Sequence, residues 1–273
     1  MSLDFARYDT NRLRAQVITS KVQLISTDFD GTLHAHFDSP PVPSALESQI
    51  ARLQSQGARW VINTGRDLAS LMDSLTHARL SIWPDYLGLV EREIYVRDGD
   101  DYRPLGTWNE DCTNEHQKLF SGIADDIPKL IEWIDARHLA TLYEDPFSPL
   151  CLIASNNQEA DKIVEYLQSY CDTVADLTVV RNDIYARFSH ARYHKGAVVT
   201  EIARQLQIPR EAIFAAGDHL NDLPMLDGVC AAMIAAPGNA VPAVRELVKK
   251  VGGFQSEKAC GHGVAEALEF FLR

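Results

Sequence analysis

Two carboxylates stand two residues apart in the segment Asp28-Phe29-Asp30-Gly31-Thr32, directly after an apolar run. One carboxylate in such a pair can attack an electrophile while the other moves a proton. A nucleophilic carboxylate that forms a covalent intermediate is established chemistry for phosphoryl groups. Taken alone, the same pattern also fits a polar turn that happens to carry two aspartates.

Two further segments offer anchors for an anion. Thr64 and Gly65 follow a second apolar run, where a threonine hydroxyl and backbone N–H groups at a helix start form a phosphate site. Gly65 lets the backbone come close to the bound group. Lys195 opens a later helix, where its ammonium can neutralise a phosphate or hold a carboxylate. Singly, these positions also fit a helix N-cap and a solvated lysine.

The fourth segment, Gly217-Asp218-His219-Leu220-Asn221-Asp222, again places carboxylates after an apolar run. Seen alone it fits an acidic loop that caps a helix. If this segment meets the first one, four carboxylates share one cleft, and their mutual repulsion raises their pKa values unless a cation compensates. A hard divalent ion such as Mg²⁺ meets that need with oxygen ligands and substrate phosphate oxygens, and Lys195 adds a further positive charge.

The elements that must position these segments alternate between strand and helix, which favours an α/β fold with a parallel sheet and right-handed crossovers. Ligands of such sheets bind beyond the carboxyl ends of the strands, so we expect the four segments to form one shared site. The pattern predicts strands over 22–27, 59–63, 86–90, 212–216 and 229–234, and helices over 44–56, 66–77, 196–206, 222–226, 241–249 and 262–272.

The middle of the chain has a different order, helix–strand–strand repeated twice. The predicted elements are a helix over 113–137 divided at Pro128, strands over 141–144 and 150–154, a helix over 158–170, and strands over 174–180 and 184–188. Short turns between strands make them antiparallel. We therefore predict an α+β insert over 101–187 within a core formed by 1–100 and 188–273.

Composition excludes several classes of protein. The 273 residues are 46% hydrophobic and 23% charged, as in an ordinary globular protein, and the net charge of −12 argues against a nucleic-acid or anionic-membrane surface. No run reaches the length of a membrane span, and the N-terminal residues 1–16 carry scattered charges without an apolar core typical of a secretory signal. Five cysteines without C-x-x-C spacing favour a reducing, cytoplasmic location.

The four segments, DFDGT, the threonine of INTGR, the lysine of HKG and GDHLND, resemble in order and sheet context those of the haloacid dehalogenase-like (HAD) hydrolase superfamily. The size and position of the insert resemble the α/β cap of the Cof-type and sucrose-phosphatase-like branch. The pair Pro84-Asp85 followed by Glu93-Ile94-Tyr95 is similar to a pattern that closes the third core strand in that branch. The expected architecture is thus a Rossmann-like parallel-sheet core with an inserted cap.

The resemblance implies roles for individual residues. Asp28 would be the nucleophile that forms an aspartyl-phosphate, and Asp30 the general acid and then base. Thr64, Gly65, Lys195 and Asn221 would hold the phosphoryl group. Mg²⁺ would be bound by Asp28, the Asp30 carbonyl oxygen and Asp218, with Asp222 supporting this metal shell and Lys195.

Other residues keep open interpretations. His34 and His36 form an H-x-H pair that fits either a metal site or simple alternation in an extended loop. Asn239 stands where relatives often have an asparagine near the site, although the preceding Ala-Ala-Pro turn is longer than usual. His262 stands at the start of the last predicted helix, where it has either no functional role or a place at the site.

We expect a Mg²⁺-dependent phosphatase acting on a small phosphorylated metabolite, most simply a sugar phosphate. The alternatives are a phosphotransferase or phosphomutase that uses the same intermediate, and a binding or regulatory protein without activity. The specificity residues should lie in the insert. The polar and aromatic candidates there are Arg137, His138, Tyr143, Glu144, Arg181, Tyr185 and Arg187. The sequence predicts neither one substrate nor an oligomeric state.

Overall fold

A computed structural model describes residues 21–273; the sequence interpretation of the N-terminal segment lies outside these residues. The described strands are β1 (Leu24–Thr27), β2 (Arg59–Asn63), β3 (Tyr86–Leu89), β4 (Glu93–Asp98), β5 (Asp101–Pro104), β6 (Ala140–Asp145), β7 (Ser148–Ala154), β8 (Leu177–Asn182), β9 (Tyr185–His190), β10 (Ile213–Ala216), β11 (Met233–Ala236) and β12 (Phe254–Gln255). The helices are α1 (Ser44–Ser55), α2 (Leu68–Ala78), α3 (Trp108–Gly122), α4 (Ile127–Asp135), α5 (Asn157–Cys171), α6 (Lys195–Leu206), α7 (Leu223–Leu226), α8 (Pro242–Lys250) and α9 (Cys260–Leu272).

The first sheet has eight strands in the order β12-β11-β10-β1-β2-β3-β4-β5. From β12 to β3 the neighbours pair in parallel, and β4 and β5 add an antiparallel edge. Neighbouring residues of the buried strand β1 face opposite layers, because side chains alternate across a strand. Ile25 packs in the core of α1, α2 and α9, whereas Leu24 packs in the core of α6, α7 and α8. The predicted α/β fold is confirmed.

The second sheet has four antiparallel strands in the order β6-β7-β9-β8. One face packs against α4 and α5 in a separate core that includes Ile134, Ile163 and Phe188. The order helix–strand–strand is found twice, as predicted, and an antiparallel sheet of this kind is consistent with a cap domain. The limits of the predicted insert, 101 and 187, stay a prediction.

Several elements differ from the sequence prediction. The strand expected over 229–234 is β11, four residues later, and Val229 is exposed. A continuous apolar run lacks the alternation of apolar and polar residues that would indicate where a strand begins. The break in the helix over 113–137 precedes Pro128, which stands in the first turn of α4. A backbone N–H at that position has no partner within the helix, so proline, which lacks it, is tolerated there. The hairpin of β4 and β5 was not predicted.

No helix among the described residues is long and apolar enough to cross a membrane.

Candidate active site

Adjacent strand ends bring the predicted segments together. Asp28 directly follows β1, Thr64 directly follows β2, and Asp218 comes two residues after β10. Because β1 pairs in parallel with both β2 and β10, these three strands end at the same edge of the sheet. The Asp28 N–H donates to the carbonyl of Ala216, the last residue of β10, at 3.0 Å.

Lys195, the first residue of α6, lies fully buried between two carboxylates. Its Nζ donates to Oδ1 of Asp28 at 2.7 Å and to Oδ1 of Asp222 at 2.6 Å. Burial alone would lower the pKa of Lys195, but Asp222 and Asp28 outweigh that effect and raise it. The lysine is therefore a fixed cation that orients the Asp28 carboxylate.

Asp222 and Asp218 are fixed differently. Oδ2 of Asp222 accepts the backbone N–H groups of Asp218 and His219, each at 2.9 Å, so both oxygens of Asp222 are occupied within the protein. Oδ1 of Asp218 accepts the Thr32 hydroxyl at 2.7 Å. Asp222 therefore shapes the loop, whereas Asp218 keeps its Oδ2 directed toward the Gly31 turn.

The close packing of that turn depends on glycine. Gly31 has a φ of 76°, and a Cβ there would collide with the Asp218 carboxylate. Asn239 bridges the same two residues, since its Nδ2 donates to the Gly31 carbonyl at 2.8 Å and to Oδ2 of Asp218 at 3.2 Å. Its Oδ1 accepts the Cys260 N–H at 2.7 Å. The longer turn before Asn239 thus still brings this side chain to the acidic cluster.

Among the described residues, one group fits a metal ion: single oxygens of Asp28, Asp218 and Asp222 lie within 4.8 Å of one another. Burial, followed by the charges of Asp222 and Asp218, raises the pKa of Asp28 well above its usual value despite Lys195. Burial and Asp222 raise the pKa of Asp218 to about 7. Three buried carboxylates with one ammonium leave an excess of negative charge, which a hard divalent cation fits.

The Asp30 side chain is not part of this group. Both of its oxygens accept from Arg66, from Nε at 2.6 Å and from Nη2 at 2.8 Å. Arg66 also donates through Nη1 to the hydroxyls of Ser70 and Ser74 on α2. The hydrogen bonds to Asp30 raise the pKa of the guanidinium, and the bidentate pair fixes Asp30 at the entrance to the site.

Three of the predicted phosphate anchors, Thr64, Gly65 and Lys195, lie beside Asp28. The Thr64 hydroxyl accepts the Arg66 N–H at 3.2 Å, and Gly65 faces the carboxylate of Glu91. Asn221 donates through Nδ2 to Oε1 of Glu91 at 2.9 Å. Glu91, a residue that sequence reasoning missed, thus lies at the centre of the anchors.

A cavity of about 290 Å³ lies between this edge of the first sheet and the second sheet. Its size suits a small metabolite. The residues that line it are Asp28, Asp30, Thr64, Gly65, Arg66 and Glu91 on one side, and Tyr143, Asp145, Val180, Asn182, Tyr185, Ala186 and Arg187 on the other.

Three of the specificity candidates, Tyr143, Tyr185 and Arg187, line this cavity. The others lie elsewhere: Arg137 stacks on Trp133, His138 pairs with Glu159, Arg181 pairs with Asp161, and Glu144 is an exposed residue of β6.

The remaining histidines lie outside the acidic cluster. His34 is buried and stacks on Phe29 with ring centroids 4.9 Å apart, and its ring lies 6.2 Å from that of His36. His262 is an exposed residue of the first turn of α9 and lines a separate pocket with Asp38 and Pro43. Neither His34 nor His36 belongs to a metal-ligating group among residues 21–273.

Sequence reasoning also assigned no role to Arg66, although this residue directly follows Gly65 in the segment INTGR. The signal available was a lone cation next to a predicted phosphate anchor. For Glu91 the sequence offers no comparable signal, because its place depends on the turn after β3.

The family described as haloacid dehalogenase-like hydrolase matches residues 126–268, just over half of the chain. The protein belongs to this family, which confirms the resemblance.

Curated relatives cover nearly the whole chain. Phosphatase YwpJ of Bacillus subtilis (strain 168) is 25% identical over 92% of this chain and 100% of its own. The 5-amino-6-(5-phospho-D-ribitylamino)uracil phosphatase YcsE of the same strain is 22% identical over 92% of this chain and 96% of its own. Together with the family, these relatives make the protein an enzyme of the phosphatase class.

Solved structures share the fold. The sucrose-phosphatase from Synechocystis sp. PCC6803, in complex with sucrose and phosphate, has a TM-score of 0.69 at 18% identity, over 92% of this chain and 98% of that chain. SMU.1108c from Streptococcus mutans UA159 has a TM-score of 0.65 at 16% identity, over 92% of this chain and 99% of that chain. At such identities the likeness concerns the fold alone.

Proposed function

We propose that the protein is a Mg²⁺-dependent phosphatase that hydrolyses a small sugar phosphate through an aspartyl-phosphate on Asp28. The observation that carries this proposal is the Asp28 carboxylate, oriented by Lys195 at 2.7 Å and open to a cavity of metabolite size. The location we propose is the cytoplasm, in keeping with the five free cysteines.

In the first step an Asp28 oxygen attacks phosphorus, and the bond from phosphorus to the leaving-group oxygen breaks. Asp30, released from Arg66 and in its acid form, donates its proton to that oxygen and becomes a carboxylate. In the second step Asp30 takes a proton from water, and the resulting hydroxide attacks phosphorus. The bond to Asp28 breaks, so the products are inorganic phosphate and the Asp28 carboxylate.

Mg²⁺ would be held by Asp28, Asp218 and the Asp30 carbonyl oxygen, with Asp222 supporting the loop from behind. When bound, the ion supplies positive charge to the phosphoryl oxygens and offsets the excess of carboxylates. Thr64, the backbone of Gly65, Lys195 and Asn221 position the phosphoryl group.

The second sheet and its helices act as a cap in this proposal. They cover the cavity with Tyr143, Tyr185 and Arg187, exclude water from the first transfer and select the leaving group. Sugar phosphates fit this wall, because it combines aromatic faces with hydrogen-bonding groups.

Phosphate release should be measured across sugar phosphates, other small phosphate monoesters and an aryl phosphate, with Mg²⁺ and with EDTA. We expect release that depends on the metal and falls at least about 1,000-fold in Asp28→Asn, because the nucleophile is lost. The matched control is Asp73→Asn on α2, since Asp73 is exposed and does not line the cavity. Normal turnover by Asp28→Asn would overturn the proposal, and phosphate found on a second sugar would identify a transferase instead.

A further inference from the structure

Glu91 enters the cavity on an unusual backbone. It follows Val90 in the turn after β3, and the two residues have φ values of 66° and 52°. A positive φ is an outlier for a β-branched residue, and such conformations persist where the surroundings fix them, often at ligand sites. Two hydrogen bonds fix them here: Val90 N–H donates to the Arg66 carbonyl at 3.0 Å, and Glu91 N–H to the Thr64 carbonyl at 2.9 Å.

This backbone directs the Glu91 carboxylate at the phosphate anchors. The residue is only 7% exposed, and its Oε1 accepts from Nδ2 of Asn221 at 2.9 Å. A Cβ built on Gly65 would lie 3.2 Å from the same oxygen. Glu91 therefore places a negative charge on the cavity wall beside the reacting carboxylate of Asp28.

A cation from the other sheet meets this carboxylate. Arg187 of β9 donates through Nη2 to the Val90 carbonyl at 2.8 Å, and the same nitrogen lies 3.5 Å from Oε2 of Glu91. That second distance is at the long limit of a hydrogen bond. Oε2 therefore retains accepting capacity, because a carboxylate offers about four acceptor positions, and Glu91 is one of the residues that line the cavity.

The chemistry of this pair selects one kind of group. A hydroxyl can donate to Glu91 and accept from Arg187 at the same time. An anionic group would be repelled by the carboxylate, and an apolar group would leave a buried charge without a further partner. A hydroxyl on the leaving group, close to the phosphoryl group, satisfies both residues.

We propose that Glu91, with Arg187, is a specificity-determining residue that binds a hydroxyl of the leaving group next to the transferred phosphoryl group. The inference rests on the proposed function, and it deepens that function by assigning the selection of polyhydroxylated substrates to a residue of the first sheet. Specificity is then shared between the two sheets instead of residing in the insert alone.

The test compares two substrates in each variant: the sugar phosphate with the highest kcat/KM in the panel, and 4-nitrophenyl phosphate. We expect Glu91→Gln to lower the ratio of their kcat/KM values by about 10- to 100-fold, the effect of losing a hydrogen bond to a charged group. Arg187→Gln should lower the same ratio, and the double variant should lose less than the product of the two, because the residues share one hydroxyl. Thermal unfolding of each variant checks that it is folded.

Glu93→Gln is the matched control, because Glu93 carries the same charge two residues away and hydrogen-bonds Tyr95 outside the cavity. Its ratio should stay at the wild-type value. An unchanged ratio in folded Glu91→Gln, or in Arg187→Gln should Glu91→Gln not fold, overturns this inference while Asp28-dependent hydrolysis leaves the proposed function intact. Absence of hydrolysis in the wild type overturns both.

Discussion

The two walls of the cavity are built in opposite ways. At the end of the first sheet, the buried Asp28 lines the cavity and is held by the buried Lys195, which donates to Asp28 at 2.7 Å and to Asp222 at 2.6 Å. On the second sheet, Tyr143 is 43% exposed and Tyr185 is 50% exposed. The groups that we propose to react are thus held by buried hydrogen bonds, whereas the tyrosines of the opposite wall keep about half of their surface exposed.

Under the proposed function, this difference separates the residues that react from the residues that select the substrate. A charge network that loses one member leaves another buried charge unpaired, so its residues depend on one another. A half-exposed tyrosine packs against few other side chains, so its substitution changes the free energy of unfolding only slightly. The three predictions below test this contrast, beginning with the largest expected change in stability.

Lys195→Met should cost the most stability. Methionine keeps an unbranched side chain but leaves Asp28 and Asp222 without their common cation, and breaking a buried pair typically costs about 3–5 kcal/mol. The variant should show a fall of that size in the free energy of unfolding, measured with urea in EDTA.

Arg66→Met is the matched control. Its pair with Asp30 is bidentate, but the two side chains are 29% and 44% exposed, so the fall in the free energy of unfolding should stay below about 1 kcal/mol. Equal losses in Lys195→Met and Arg66→Met would contradict the contrast between a buried and an exposed pair.

His116 makes the attachment of β9 sensitive to acid. Its Nδ1 donates to the Cys112 carbonyl at 2.7 Å, and its Nε2 accepts the His190 N–H at 3.1 Å, so the ring is neutral. Burial and then Arg92 lower its pKa to about 3. A histidine whose pKa is lowered by folding contributes its full stabilisation at pH values above its pKa in the unfolded protein. That stabilisation is lost as the pH falls toward the pKa in the folded protein. Between about pH 7 and about pH 5 this loss is about 2 kcal/mol.

The measurement is the free energy of unfolding of wild type and His116→Gln at both pH values. Asp218 acts in the opposite direction, because its raised pKa favours the fold as the pH falls, so only the difference between the two proteins isolates His116. Glutamine does not titrate, and the acid-induced loss in the variant should be smaller by that amount. The same loss in both proteins would show that His116 is not the group responsible.

The convergence of Asp28, Thr64 and Asp218 could be predicted from the sequence, because each of them follows the end of a strand. Asp28 and Asp218 follow short buried strands that pair in parallel, and Thr64 follows the strand between two predicted helices. Once strands and helices alternate, these positions must share an edge. Lys195 needed the resemblance as well, since a lysine at a helix start carries no signal of burial by itself.

The rest depended on geometry that no local pattern encodes. Glu91 reaches Asn221, 130 positions along the chain, only because two residues after β3 adopt positive φ. Arg66 hydrogen-bonds Asp30, which lies 36 positions away in the sequence. Among seven candidates in the insert, sequence could not separate Tyr185, which faces the cavity, from Arg181, which pairs with Asp161. Such choices follow from the register of β8 and β9.

Tyr185→Ala should have the smallest effect on stability and a specific effect on binding. The side chain is half exposed, so the free energy of unfolding should change by less than about 0.5 kcal/mol. An aromatic face lost from the cavity should raise KM for the best sugar phosphate about 5-fold, equivalent to about 1 kcal/mol, with a smaller change in kcat. Leu139→Ala is the control, because Leu139 is 73% exposed and does not line the cavity. Equal changes of KM in the two variants would mean that the second sheet does not select the substrate through this tyrosine, and the contrast between the two walls would then be one of burial alone.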